Sequence, residues 1–157
     1  VPASASDVWM APLADPVLVR EFRQPAADWS SGHRGVDYLA PDGSPVLAPH
    51  GGVVSFTGLV VNRFVLAIRH QNGLVTSLEP VCSGLPKGTV VASGQELGHT
   101  CFGTDYPSHC LPKACLHFSL RSEYGYLSPL LELGQLSPSR LKPWGGPNCT
   151  PASGAQC

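Results

Sequence analysis

Charge is scarce in this chain. Only 13% of its 157 residues are Asp, Glu, Lys or Arg, and ten basic against eleven acidic side chains leave a formal net charge of −1. No basic run offers a nucleic-acid footprint, and no acidic tail is present. No apolar run approaches the roughly 20 residues of a membrane-spanning helix. Long stretches of helical periodicity are missing as well, whereas Gly (17) and Pro (16) are plentiful. With 43% hydrophobic residues in strand-sized blocks, the composition excludes low-complexity disorder. It predicts an all-β domain, mostly antiparallel, with long loops and one short helix. No leader-type segment is visible at Val1, so an export signal is expected to precede this numbering.

No C-x-x-C pair occurs among the six cysteines. An even count fits three disulfides and an oxidising compartment, hence a secreted or envelope-exposed protein. Reduced buried thiols or a structural zinc site are the competing readings. Six cysteines allow 15 connectivities, so composition alone leaves the pairing open.

Residues 1–16 read as an N-terminal extension lying over the surface, 17–136 as the domain, and 137–157 as a Pro/Gly-rich C-terminal tail. Strand-type blocks are expected at 17–22, 36–39, 46–48, 53–57, 64–69, 74–78, 88–92, 96–101 and 115–121. Asn72-Gly73 between two such blocks predicts a hairpin with a type I′ turn, which would leave His70 a solvated turn residue. Ser128-Pro129 and Gly134 bracket a short helix, with Ser as N-cap and Gly as stop. The loop 24–35 holds Trp29, read either as a cover over the rim of a site or as plain packing. His50 and His99 read as turn residues, Glu96 and Asp105 as solvated loop charges. Asn148-Cys149-Thr150 matches a glycosylation sequon and is read as a chance match.

Two stretches carry chemistry: His33-Arg34-Gly35-Val36-Asp37 and Cys115-Leu116-His117. Two imidazoles and one carboxylate suit Zn²⁺, and three protein ligands leave a fourth position free, the catalytic rather than the structural pattern. A His and an Asp four apart can converge from a short loop, and His117, on a strand-like run, would close the site from across a sheet. Each half alone is weak: H-x-x-x-D is common by chance, and a lone strand His is usually a packed or surface imidazole.

In order along the chain come Gly32-His33-Arg34-Gly35-Val36-Asp37, Gly43 to Ala48 with Gly52-Val53-Val54, His70 to Thr76, the Gly88 and Gly94 turns, and Leu116-His117-Phe118. This ordered set resembles the M23 peptidases, the LytM/lysostaphin-like zinc endopeptidases of bacterial peptidoglycan, over roughly residues 17–134. The resemblance implies an antiparallel β fold with a groove, and one zinc ion on His33, Asp37 and His117. It also exposes departures. The family's H-x-H is here Cys115-Leu116-His117, and the histidine of its Tyr-x-His stretch is matched by Pro80. Both usual acid/base imidazoles are therefore replaced while all three ligands remain.

Glu79-Pro80-Val81, together with His109-Cys110 ahead of Cys115-Leu116-His117, is similar to a secreted actinobacterial branch of the family. That likeness implies a Cys110–Cys115 disulfide holding His109 near the metal. Pairing neighbours then leaves Cys82 with Cys101 and Cys149 with Cys157. A free Cys115 thiolate as fourth zinc ligand is the alternative. His109 and Glu79 are the candidate substitute bases, each also readable as a plain surface residue. Arg34 or Tyr38 is the candidate oxyanion donor.

The resulting expectation is a catalytically degenerate LytM-like domain at the cell wall. It would bind peptidoglycan or its stem peptides, or regulate a wall hydrolase or division protein. The first alternative is an active zinc endopeptidase cutting peptide cross-links with His109 as base; the second is a structural secreted β domain. Thiol titration of the denatured, unreduced chain should find no free thiol; two or more would break the three-disulfide scheme.

Overall fold

The computed structural model describes residues 8–103 and 107–136. Its elements, in chain order, are β1 (Leu18–Arg20), β2 (Val36–Leu39), β3 (Pro45–Leu47), β4 (Gly52–Val60), β5 (Arg63–Arg69), β6 (Val75–Glu79), β7 (Val90–Val91), β8 (Glu96–His99), β9 (Cys115–Ser122), β10 (Gly125–Leu127) and α1 (Pro129–Glu132). The main sheet runs β1-β2-β9-β6-β5-β4-β7, with β10 folded back on β9. Strands β3 and β8 pair separately, and every pairing is antiparallel. The all-β antiparallel class with one short helix is therefore the fold observed.

Period-two alternation sets the two faces of the sheet. On β9, Leu116, Phe118 and Leu120 are fully buried. Leu116 and Phe118 pack with Val36 and Tyr38 of β2, Leu78 of β6 and Leu66 and Ile68 of β5. Each such side chain contributes roughly 1.5–3 kcal/mol by leaving water. The intervening residues Cys115, His117, Ser119 and Arg121 point to the other face. There the register aligns Asp37, His117 and Glu79 in one row and Arg121, Val75 and Arg69 in another.

Several expectations change. The turn after His70 is not type I′: Gly73 is left-handed at φ 84°, but Asn72 is not. Gln71, Asn72 and Gly73 form a three-residue loop in which Gly73 N–H donates to the His70 carbonyl (3.1 Å) and Leu74 N–H to the Asn72 side chain (3.1 Å). His70 is not solvated; it is 3% exposed. Its Nδ1 donates to the Gly51 carbonyl (2.9 Å), which leaves Nε2 to accept the Thr76 hydroxyl (2.7 Å). Trp9 stacks on His50 and meets the edge of His70, and Trp9 and Leu13 pack on the core. Part of the expected extension is thus in contact with the core. Trp29 neither packs nor covers a site, being 89% exposed.

The β10 hairpin, turning at Glu123 and Tyr124 ahead of Gly125 (φ 130°), has no recognisable pattern because three residues are too few for alternation. Helix α1 starts at Pro129, yet the Ser128 side chain makes no capping bond. Of the cysteines, Cys82–Cys101 and Cys110–Cys115 are disulfides. The expected Cys149–Cys157 pair, the Asn148 sequon and Asp105 lie outside the described residues.

Burial holds the His70 pKa below its ordinary value of about 6.5 against the raising effect of the Gly51 hydrogen bond. The unfolded chain therefore binds the extra proton first, and stability falls as pH drops below about 6.5. Urea midpoints measured from pH 7.5 to 5 should decline, and His70→Gln should flatten that slope. An unchanged slope would remove His70 as a contributor.

Candidate metal centre

Asp37 and His117 face each other across the β2–β9 pair, one strand in from the β1 edge of the sheet. Asp37 is fully buried, and His117 Nδ1 lies 2.7 Å from its Oδ1. His33 arrives from the loop before β2. Reciprocal backbone hydrogen bonds with Arg23, both 2.9 Å, fix its main chain. Its Nδ1 donates to the Glu21 carbonyl (2.7 Å), which turns Nε2 inward to 3.0 Å from Asp37 Oδ2. This is the ligand–carbonyl arrangement that sets the tautomer of metal-binding histidines.

Gly35 supplies the space. A Cβ there would stand 2.4 Å from the Phe118 carbonyl and 2.7 Å from His117 Cε1 and Nε2. Any side chain at this position would have to displace the β9 backbone at Phe118 and the His117 ring together.

A third imidazole completes the cluster. His109 Nε2 is 3.0 Å from Asp37 Oδ1 and 3.7 Å from Cys115 Sγ. The Cys110–Cys115 disulfide ties the loop beside His109 to the start of β9. Its small ring contributes about 2 kcal/mol through chain entropy, so its main effect is on position. The same bond removes Cys115 as a thiolate ligand. The ligand-type atoms of His33, Asp37, His109 and His117 all lie within 4.8 Å of one another.

Burial alone would raise the Asp37 pKa, but hydrogen bonds from His109 and His117 overcome it and hold the carboxyl well below its usual range. Burial lowers the His33 pKa, against the raising effects of the Glu21 hydrogen bond and of Asp37, and donation from Nδ1 to the Glu21 carbonyl leaves Nε2 facing Asp37. His33 Nε2 is buried without a hydrogen-bond partner and faces a carboxylate oxygen at 3.0 Å. Two electron-rich atoms 3.0 Å apart repel unless a cation lies between them. This donor set fits Zn²⁺: His33, Asp37 and His117 would hold it, with His109 in reach as a fourth group. The ion, when bound, supplies Lewis-acid polarisation of a carbonyl and a lowered pKa for water.

The other candidates lie apart from this cluster. Glu79 is His117's cross-strand neighbour on the same face, but its carboxylate pairs with Arg63 at 3.0 Å. Pro80 is buried. Tyr38 is on the core side of β2 and only 2% exposed, and Arg34 is spent on the carbonyls of Asp28 and Ser30. Neither is placed as an oxyanion donor. The Glu21 carbonyl was missed; as a backbone atom it leaves no trace in residue identity.

The family model of peptidase family M23 matches residues 31–129. The chain belongs to peptidase family M23. Uncharacterized proteins of Mycobacterium tuberculosis and Mycobacterium bovis are each 37% identical over 148 residues, covering 90% of this chain. The chain matches 58% of their length. Among solved structures, the SpoIIQ–SpoIIIAH pore-forming complex contains a chain similar at TM-score 0.68 and 18% identity, covering 82% of this chain and 92% of that one. A zinc-containing peptidase from Vibrio cholerae is similar at TM-score 0.57 and 20% identity, over 76% of this chain and 39% of that one. Likeness at such identities establishes the shared fold.

Gly35→Ala should lower zinc affinity about 10–100-fold, as loss of ligand orientation does. Competition against a chromogenic chelator would measure it, with far-UV circular dichroism showing the sheet retained. Unchanged affinity in a folded variant would mean that Gly35 does not set the His117 ring.

Proposed function

We propose that this M23 domain binds zinc at the bacterial cell envelope and is catalytically degenerate, with peptidoglycan stem peptides or a wall hydrolase or division protein as its partner. The observation that carries this reading is the state of the two positions where the family keeps proton-transferring imidazoles. Cys115 is closed in a disulfide and Pro80 is a buried imino acid, so neither can give or take a proton. His109 adds support, because an imidazole beside Asp37 can complete a four-ligand set and close the ion to substrate. The protein complex formed by SpoIIQ is a precedent for partner binding on this fold.

A second reading rests on the same histidine. His109 Nε2 lies 3.7 Å from Cys115 Sγ, in the space into which the family's imidazole at position 115 would project. Its side chain is 31% exposed, the most open of the three imidazoles. From there it could act as base for an endopeptidase cutting wall cross-links.

Zinc analysis of the purified protein, followed by digestion of purified peptidoglycan and mass analysis of the products, separates these readings. Zinc-loaded protein should sediment with sacculi and release no soluble muropeptide. Release of cleaved peptides that disappears in His109→Ala would establish the second reading instead. Absence of zinc at neutral pH would remove the enzyme reading.

A further inference from the structure

The face of the sheet that carries the metal cluster continues past it. Along β9 the residues on this face are Cys115, His117, Ser119 and Arg121. Ser119 is paired with Ser77, and Ser77 with Ala67, giving a row of small side chains beside the cluster. The next row is Arg121, Val75 and Arg69, extended by Tyr126 on β10. Directly opposed residues share a face, so both guanidinium groups rise from the surface that holds His117. Arg121 is four residues beyond His117, roughly 13 Å away at about 3.3 Å per residue. The two arginine Cα atoms are two strand spacings apart, about 10 Å, within reach of one anion held above Val75.

Both arginines are exposed, and neither makes an ion pair among the described residues. They line an open cleft of about 360 Å³ between the 70–73 turn and the β9–β10 hairpin, where Glu123 is the opposing charge. In a chain with so few charges, two unpaired guanidinium groups in line with the cluster form a local cationic site. Arginine stays charged at any working pH and binds carboxylates through two parallel N–H donors. Between this site and the cluster lie Ser77 and Ala67, small, uncharged and half-buried, on which an extended peptide can rest, with the buried Ser119 beside them.

We infer that Arg69 and Arg121 form a carboxylate-binding subsite that anchors an acidic peptide laid along the sheet, with its next residues directed toward His117. This deepens the proposed binding of wall stem peptides and rests on that reading. The subsite sets polarity and selectivity: a peptide with a free carboxylate at that distance binds, and its amide does not.

The test is calorimetric titration of zinc-loaded protein with a synthetic stem tetrapeptide bearing free carboxylates and with the same peptide fully amidated. Sacculus sedimentation is run in parallel. The free acid should bind about tenfold tighter, a difference that shrinks as salt rises. Arg121→Gln and Arg69→Gln should each remove most of that difference without changing zinc content. Arg121→Lys should restore only part of it, because the charge returns without the planar fork. Equal affinity for the two peptides, or unaltered discrimination in both Gln variants, overturns the subsite; sacculus binding retained alongside would leave the wall reading standing. Failure of the wild-type protein to bind either peptide or sacculi overturns both.

Discussion

The structure depends on one buried carboxylate. Asp37 has no solvent exposure and sits among three imidazoles that approach from a loop, a neighbouring strand and a disulfide-tethered turn. An isolated ionised carboxylate in such a place carries a severe desolvation penalty. Here the penalty is offset by hydrogen bonds from His109 and His117, and the remaining unmatched atom is His33 Nε2. That mismatch is local and chemically specific: a divalent cation turns two repelling lone pairs into two ligands. The β2–β9 pairing places Asp37 opposite His117, and the Glu21 carbonyl and the glycine at 35 orient the rings around it.

The sheet provides a platform with two distinct faces. One buries Leu116, Phe118, Leu120 and their partners, and its cohesion fixes the register on which the other depends. A slip of one residue on β9 would turn His117 into the core and Phe118 onto the site. The disulfide Cys110–Cys115 anchors to the same strand the only imidazole of the cluster that comes from outside the sheet and its adjoining loop. The cysteine at 115 thus supplies the tether that holds another imidazole nearby.

Much of this was legible along the chain. Strand blocks at 36–39, 64–69 and 115–121 fall close to observed strands because their alternation, branched residues and flanking turns agree. His33, Asp37 and His117 stood out because ligand-type residues are few and ordered among recognisable glycines. His70 was misread because hairpin position alone suggested solvent, whereas Trp9, over sixty residues earlier, folds across it. Tyr38 and Arg34 were candidate donors only while strand facing and local hydrogen bonding were unknown. Glu79 looked available until Arg63, on the adjoining strand, was seen to hold its carboxylate.

The sequence by itself determined the class of fold and the family, because alternation, turn chemistry and the order of short motifs can be read along the chain. Only the tertiary structure decided between the disulfide implied for Cys115 and a free thiolate, set His109 against Asp37, and put Arg69 and Arg121 in one row of their own on the cluster's face. The arginine row arises from strand pairing, and the His109–Asp37 contact joins a loop to a strand 72 residues away. No local preference encodes which of two faces a distant side chain will share.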